Sequence, residues 1–384
     1  MKRVFALLLI LALTLSLAAC TGNKPNPTTA GTAGTTAPAP ETTGEVTETE
    51  APEVTTKVGV SMPTQSLQRW NQDGSNMKAQ LESAGYEVDL QYAGDNDIPT
   101  QVAQIENMIS GGCGVLVIAA IDGSALTTVL DSAKAANIPV ISYDRLIMNS
   151  DAVSYYATFD NWKVGMLQGQ FIADALDLDN AEGPFNIELF TGSPDDNNIN
   201  FFFGGAMEVL QPYIDAGKLV VPSEQVAKEQ CATLNWSTEE SQKRMENLIS
   251  SQGYSPNGTK LDAVLSSNDS VANGITNALT AAGFTAENFP VLSGQDCDKP
   301  AVKNMLAGTQ SMSVFKDTRT LAAQVVKMVD AILTGSAPEI NDTETYDNGT
   351  GIIPSFLCDP VACTTDNYKE LLIDSGYYTE ADID

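Results

Sequence analysis

The chain contains no histidine. That single absence removes Ser-His-Asp and Cys-His catalysis, His-ligated zinc and haem, and switching by imidazole titration near neutral pH. Basic residues are scarce: 20 Lys and Arg stand against 49 Asp and Glu, a formal charge of −29 that would repel a phosphate backbone, so nucleic acid is excluded as a partner. None of the six cysteines lies in a Cys-x-x-Cys pair, which argues against dithiol redox chemistry and against a metal cluster. Also missing are the Gly-x-x-x-x-Gly-Lys-Ser/Thr phosphate loop, a Gly-x-Gly-x-x-Gly after the first strand and the Gly-x-Ser-x-Gly nucleophile elbow. Asp177-x-Asp179 begins like a calcium loop, but the next ligand position is Ala181 and the glycine and terminal glutamate spacing is absent. No catalytic residue, metal or cofactor is predicted.

The first twenty residues read as an address. Lys2 and Arg3 precede an apolar run from Val4 to Leu17, which is shorter than the roughly 20 residues of a membrane span and ends in Leu17-Ala18-Ala19-Cys20. Basic, apolar and small-residue regions in that order predict a signal peptide over 1–20, and the ending resembles a bacterial lipobox, with Cys20 as the lipidated residue of the mature chain. Residues 21–56 are rich in Thr, Ala, Pro, Gly and Glu, with too few large apolar side chains to fold, and predict a disordered tether. A coil of that length spans about 30–36 Å, enough to hold a globular head away from a membrane. The predicted location is extracytoplasmic and membrane-anchored. Disulfides persist there, and Cys113, Cys231, Cys297, Cys358 and Cys363 are odd in number, so at least one is unpaired or intermolecular. Cys358 and Cys363 are near enough in sequence for a small-loop bridge, although spacing does not fix geometry.

From Lys57 onward an alternating α/β pattern runs to the end. Val- and Ile-rich runs such as VGVSM, VDLQYA, VLVIAA, IPVISYD and SYYATFD are separated by helical stretches that begin at Gln68, Pro99 and Ser124. After a helix from Asn161 to Leu176, a second series follows with FNIELF, KLVVPS, DAVLSS, FPVLSG and SMSVFK. Buried parallel strands read this way, and two such series predict two doubly wound lobes with ligand-binding loops at the carboxyl ends of the strands.

Polar residues collect at those ends: Ser61 to Trp70 after the first strand, Asp122 after the third, and Asp144 with Arg145 after the fourth. In the second series Asn268 with Asp269, Gln295 with Asp296, and Lys316 do the same. A lone Asp or Asn in such a loop serves equally as a helix cap or turn residue. Their recurrence points to a ligand rich in hydroxyls, which carboxylates, amides and cations can hold from every side. Trp70 and Trp236 are candidate platforms for the apolar face of a ring, with core packing the alternative for Trp236, while Trp162 reads as a packing residue at a helix start. Asp144 beside Arg145 can clamp vicinal hydroxyls while each offsets the other's burial, and Asp195-Asp196-Asn197-Asn198 opens a helix that carries Phe201 to Phe203. Neighbouring carboxylates alone are no sign of a glycosidase pair, which needs a set separation across the bond.

The ordered set of RW at Arg69-Trp70, QIENMI from Gln104, VLVIAAIDG ending at Gly123, YDRLI from Tyr143, YYATFDN from Tyr155 and GSPDDNN from Gly192 resembles one family. The second half adds SND at Ser267–Asp269, GQD at Gly294–Asp296, VFKDTR at Val314–Arg319, YDNG from Tyr346 and GYYTE from Gly376. They are similar to the sugar-binding periplasmic-type proteins of ABC importers, in the xylose-binding and multiple-sugar-binding (ChvE-like) branch. The resemblance implies a type I periplasmic-binding-protein fold, two Rossmann-like lobes joined by a three-stranded hinge. The first lobe would comprise 57–159 and 317–350, and the second 160–316 and 351–384. It places ligand contacts on Arg69, Trp70, Asp122, Asp144, Arg145, Asn197, Trp236, Asn268, Asp296 and Lys316. It implies a monomer that binds an aldose of the xylose, glucose or galactose type and passes it to ABC permease subunits; the alternative is a sugar-sensing co-receptor for a sensor kinase or chemoreceptor. The CATLNW segment with Cys231 and Asn235, Asn268 itself, and Cys297 directly after Asp296 depart from the family pattern and bear on which sugar is preferred.

Overall fold

The computed structural model describes residues 56–383. The predicted signal peptide, Cys20 and all but the last residue of the predicted tether lie outside the described residues.

Chain order in the first half is β1 (Lys57–Met62), α1 (Gln68–Ser83), β2 (Glu87–Tyr92), α2 (Ile98–Ser110), β3 (Val115–Ile118), α3 (Thr127–Ala135), β4 (Val140–Tyr143) and β5 (Val153–Phe159). Next come α4 (Asn161–Ala175), β6 (Phe185–Phe190), α5 (Asn198–Asp215), β7 (Leu219–Val220), a single turn α6 (Lys228–Cys231), α7 (Thr238–Gln252), β8 (Ala263–Ser266) and α8 (Asp269–Ala281). The chain closes with β9 (Val291–Leu292), α9 (Lys299–Leu306), β10 (Ser313–Phe315), α10 (Thr318–Leu333), β11 (Ser355–Cys358), β12 (Val361–Cys363) and α11 (Glu380–Ile383).

Two parallel sheets result. The first runs β11-β5-β4-β3-β1-β2 and the second β7-β6-β8-β9, while β10 and β12 form an antiparallel pair joined to the second lobe by a bridge between Gln295 and Val314. Strands β3, β4, β8 and β10 are buried at every residue, which is why they read as apolar runs, broken at most by one serine each, rather than alternating ones. Each Val, Leu or Ile so buried contributes about 1.5–3 kcal/mol of transfer free energy. Helices start where a side chain accepts an otherwise orphaned backbone N–H: Asp97 from Thr100, Ser237 from Glu240, Asn268 from Val271 and Asp317 from Arg319. In both sheets the strand order reverses beside the first strand of the series, at β1/β3 and at β6/β8, and such switch points open a crevice at the carboxyl ends of the strands.

Among the described residues the chain passes between the lobes after β5, between β10 and α10, and between β11 and β12. Helix α10 packs in the first lobe's core through Leu321, Val325 and Met328. Strand β11 pairs in parallel with β5, Ser355 with Tyr156 through Cys358 with Phe159, so the expected boundary at 350/351 is corrected to the Asp359-Pro360 segment. Short irregular sequence before Ser355 hid this strand. Cys358 therefore sits in the first sheet and Cys363 in β12, and both are free buried thiols, as are Cys113, Cys231 and Cys297. Trp162, read as a packing residue, does lie against Gly204 and Gly205 of α5, yet it is 39% exposed and donates its indole N–H to Glu208 at 2.6 Å.

Candidate functional site

Loops from both sheets converge on one cleft. From the first lobe, Arg69 and Trp70 occupy the first turn of α1, the helix expected to begin at Gln68. Asp144 and Arg145 follow β4. From the second lobe come Asp196 and Asn198 at the start of α5, Trp236 before α7, Asn268 and Ser270 at the start of α8, and Gln295, Asp296 and Asp298 between β9 and α9. Lys316 stands at the crossover into α10.

The charges are paired across the cleft. The Arg69 guanidinium reaches Asp73 (2.9 Å) and Asp144 (2.6 Å) within the first lobe and Asp296 (3.3 Å) in the second. Lys316 Nζ lies 3.0 Å from Asp296 and 3.8 Å from Asp144, and Arg145 Nε lies 3.1 Å from Asp196. Burial opposes ionisation of Asp144, but Arg69, Lys316 and Arg145 outweigh it and hold the carboxyl below its ordinary range. Burial pushes Asp196 up, with Arg145 only partly opposing. Asp298 is pushed up to about 7 by burial and by the neighbouring Asp296 carboxylate, against the pull of Arg69 and Lys316. Asp269, behind the cleft, is raised well above its ordinary value by burial and by Asp298 and Asp296. Among the described residues that line the cleft, Arg69, Arg145 and Lys316 are each ion-paired with aspartates, and the acidic groups Asp73, Asp144, Asp196, Asp269, Asp296 and Asp298 outnumber them.

Backbone geometry aims these groups. Asp144 has φ 57°, and its carbonyl accepts hydrogen bonds from Tyr156 Oη (2.5 Å), Thr158 Oγ1 (3.0 Å) and Asn198 Nδ2 (2.8 Å). Three donors on one oxygen offset the strain of a left-handed non-glycine residue and leave the carboxylate pointing to Arg69. Arg145 is fixed by donating to the carbonyls of Ala120 and Ile121, each at 3.1 Å. Both guanidiniums lie over the Trp70 ring, at 4.9 and 5.1 Å from its centroid, and Phe202 meets Trp236 edge-on at 6.2 Å. A Cβ on Gly192 would come within 2.1 Å of the Trp236 ring, and one on Gly294 within 2.1 Å of Asp269 Oδ1, so both positions require glycine for close approach.

Four polar atoms on the cleft wall are buried without a hydrogen-bond partner: Trp236 Nε1, Gln295 Oε1, Asp298 Oδ1 and Arg145 Nε, the last angled away from hydrogen-bond geometry despite its closeness to Asp196. Each such group costs about 1–3 kcal/mol unless something answers it. Two donors and two acceptors left open in one buried cleft suit a ligand whose groups both donate and accept.

Residues 58–337 match the family model described as periplasmic binding protein domain. The chain belongs to the periplasmic binding protein family. It is 53% identical over 326 residues to the multiple sugar-binding periplasmic protein SbpA of Azospirillum brasilense, covering 84% of this chain and 90% of that one. To the D-xylose-binding periplasmic protein of Escherichia coli it is 36% identical over 327 residues, covering 85% and 92%. An ABC transporter solute binding protein from Clostridium phytofermentans, solved with β-D-glucose bound, is 64% identical with a TM-score of 0.83, covering 85% of this chain and all of that one. The two-lobed α/β architecture expected from the sequence agrees with these relatives.

Of the ten predicted contacts, the fold brings Arg69, Trp70, Asp144, Arg145, Trp236, Asn268, Asp296 and Lys316 to one cavity wall. Asp122 and Asn197 are not on it. Asp122 accepts from the Ser124 N–H at 2.7 Å and serves its own turn, and Asn197 precedes α5 and accepts from Asn200 instead. The position expected of Asn197 is taken by Asn198, one residue on, because α5 starts there and turns the next side chain inward. Asp196, Phe202, Gln295 and Asp298 also line the cleft; Asp196, Phe202 and Gln295 fall in the polar and aromatic segments named above, and the phase of each turn, which decides what faces inward, is not written in the composition.

Proposed function

We propose that this chain is an extracytoplasmic receptor that captures one neutral monosaccharide, an aldose of the xylose, glucose or galactose type, and delivers it to an ABC permease by closing its two lobes. The observation that carries this reading is the set of four unanswered polar atoms among buried, paired charges. Hydroxyl groups satisfy donors and acceptors alike, and a ligand without net charge leaves the pairing of cations with carboxylates intact. Trp70 and Trp236 offer flat faces to the C–H side of a pyranose. The glucose-bound relative and the multiple-sugar and xylose-binding relatives support the ligand class.

In the closed geometry the free space of the deep cleft is only about 30 Å³, and Arg69–Asp296, Lys316–Asp144 and Arg145–Asp196 bind the lobes to each other. A sugar entering before closure takes over part of these contacts, its hydroxyls bridging cation and carboxylate. Ligand binding then selects the closed form, and the permease reads the juxtaposed outer surfaces of the lobes. The segments after β5, before α10 and between β11 and β12 act as the hinge. Lipidation at Cys20 keeps the receptor, a monomer, beside its permease.

The test is isothermal titration of unfolded and refolded protein with xylose, glucose, galactose and arabinose. One-to-one binding at micromolar Kd or tighter is expected for at least one. Folded protein that binds none of them overturns the monosaccharide reading.

A further inference from the structure

A second cavity adjoins the deep cleft on the side of its mouth. It measures about 320 Å³, within the range of small-molecule sites, and shares Leu67, Trp70, Arg145 and Trp236 with the deep site as a common wall. Its remaining wall is built from both lobes: Thr64, Ser66 and Asp95 from the loops after β1 and β2, and Asp195, Asn235 and Glu239 from the second lobe. On the deep wall Trp70 and Trp236 are almost fully buried, whereas Ser66, Asp95, Asn235 and Glu239 at the rim are exposed.

Two further observations point to a ligand here. Trp236, on the shared wall, is 4% exposed, and its indole N–H is one of the four open groups of the deep cleft. It and Asn235 stand consecutively in the left-handed region, at φ 55° and 56°, a conformation that costs about 1–3 kcal/mol per non-glycine residue and persists where surrounding structure imposes it. Across the chamber the Asp95 carboxylate accepts from both Thr64 Oγ1 and Ser66 Oγ at 2.5 Å, so this acceptor is pre-oriented. The hydrogen bonds from Ser66 and Thr64 also hold its carboxyl below the usual range. Asp95, Asp195 and Glu239 make the chamber acidic, and Arg145, the cation that lines it among the described residues, is ion-paired with Asp196.

We propose that the mouth chamber is a second subsite, which receives the group attached to a sugar whose first ring occupies the deep cleft, and that it accepts a neutral or cationic group, a second glycosyl unit above all, while rejecting an anionic one. The inference rests on the deep cleft being a sugar site.

Isothermal titration with D-glucose, with the neutral glucosyl-glucoses cellobiose, maltose and gentiobiose, and with glucose 6-phosphate tests it. At least one disaccharide is expected to bind no more than a hundredfold more weakly than glucose. Ser66→Trp, which fills the chamber, should weaken that disaccharide at least tenfold and leave glucose within threefold. Should Ser66→Trp fail to fold, Glu239→Lys gives an independent reading: glucose stays within threefold while glucose 6-phosphate gains at least fivefold. All three disaccharides falling more than a hundredfold below glucose, or glucose 6-phosphate binding as well as the best disaccharide, overturns the subsite. Disaccharide binding without glucose binding keeps the subsite and overturns the monosaccharide reading above; silence from every sugar overturns both.

Discussion

Asp144→Asn is the most informative single substitution. Alanine at this position would confound loss of the carboxylate with backbone strain, since φ is 57° and asparagine tolerates that region far better. Asparagine keeps the size of the side chain and the carbonyl that Tyr156, Thr158 and Asn198 hold. What it removes is the charge facing Arg69 at 2.6 Å and Lys316 at 3.8 Å. A hydrogen bond to a charged group contributes about 1.5–3 kcal/mol, so the affinity for the cognate sugar should fall by about ten- to a hundredfold. Stability should fall less than the roughly 3–5 kcal/mol of breaking a buried pair, because Arg69 retains Asp73 at 2.9 Å and Asp296 at 3.3 Å. Isothermal titration reads the first quantity and thermal unfolding without sugar the second. A folded Asp144→Asn protein that binds every sugar within twofold of the wild type would refute the assignment of Asp144 to the ligand.

Trp70→Ala removes the platform under both guanidiniums and should cost at least tenfold in sugar affinity by titration. Asn198→Ala should weaken binding at least fivefold whereas Asn197→Ala and Asp122→Ala stay within twofold, a contrast that a direct side-by-side titration decides. For Asp298 the sign follows from its raised pKa of about 7: between pH 4 and 7 the folded state holds a proton that the unfolded chain has released, so stability falls as pH rises through that window and is level above it. Asp298→Asn should therefore make the urea-unfolding free energy less steep in pH there, by up to about 1.4 kcal/mol per pH unit, and an unchanged slope would discount the buried proton.

How far the sequence carries can be followed residue by residue. Strands such as Val115–Ile118 were legible because burial on both faces demands an unbroken apolar run, and the loops after them because polar residues there have few other reasons to recur. Asp144-Arg145 and Asp296 were legible for the same reason. Asn198 in place of Asn197 was not, since which residue of four polar neighbours faces inward depends on where α5 begins, and helix starts are set by competing caps within a residue or two. Asp73 escaped notice because it lies in the second turn of α1, where a single acidic residue looks like surface; only the fold shows it fully buried against Arg69 and the Tyr143 hydroxyl. Strand β11 was missed because its pairing partner β5 lies nearly two hundred residues earlier, and nothing local distinguishes it from the segment before it.

The most direct test of the central claim is a crystal structure of the refolded protein grown with the tightest-binding sugar of the titration panel. The account predicts one pyranose between the lobes, its C–H face against Trp70 or Trp236 and its hydroxyls within about 3 Å of Asp144, Arg145 and Asp296. A sugar bound anywhere else, or lobes closed with the sugar outside the cleft, would contradict it.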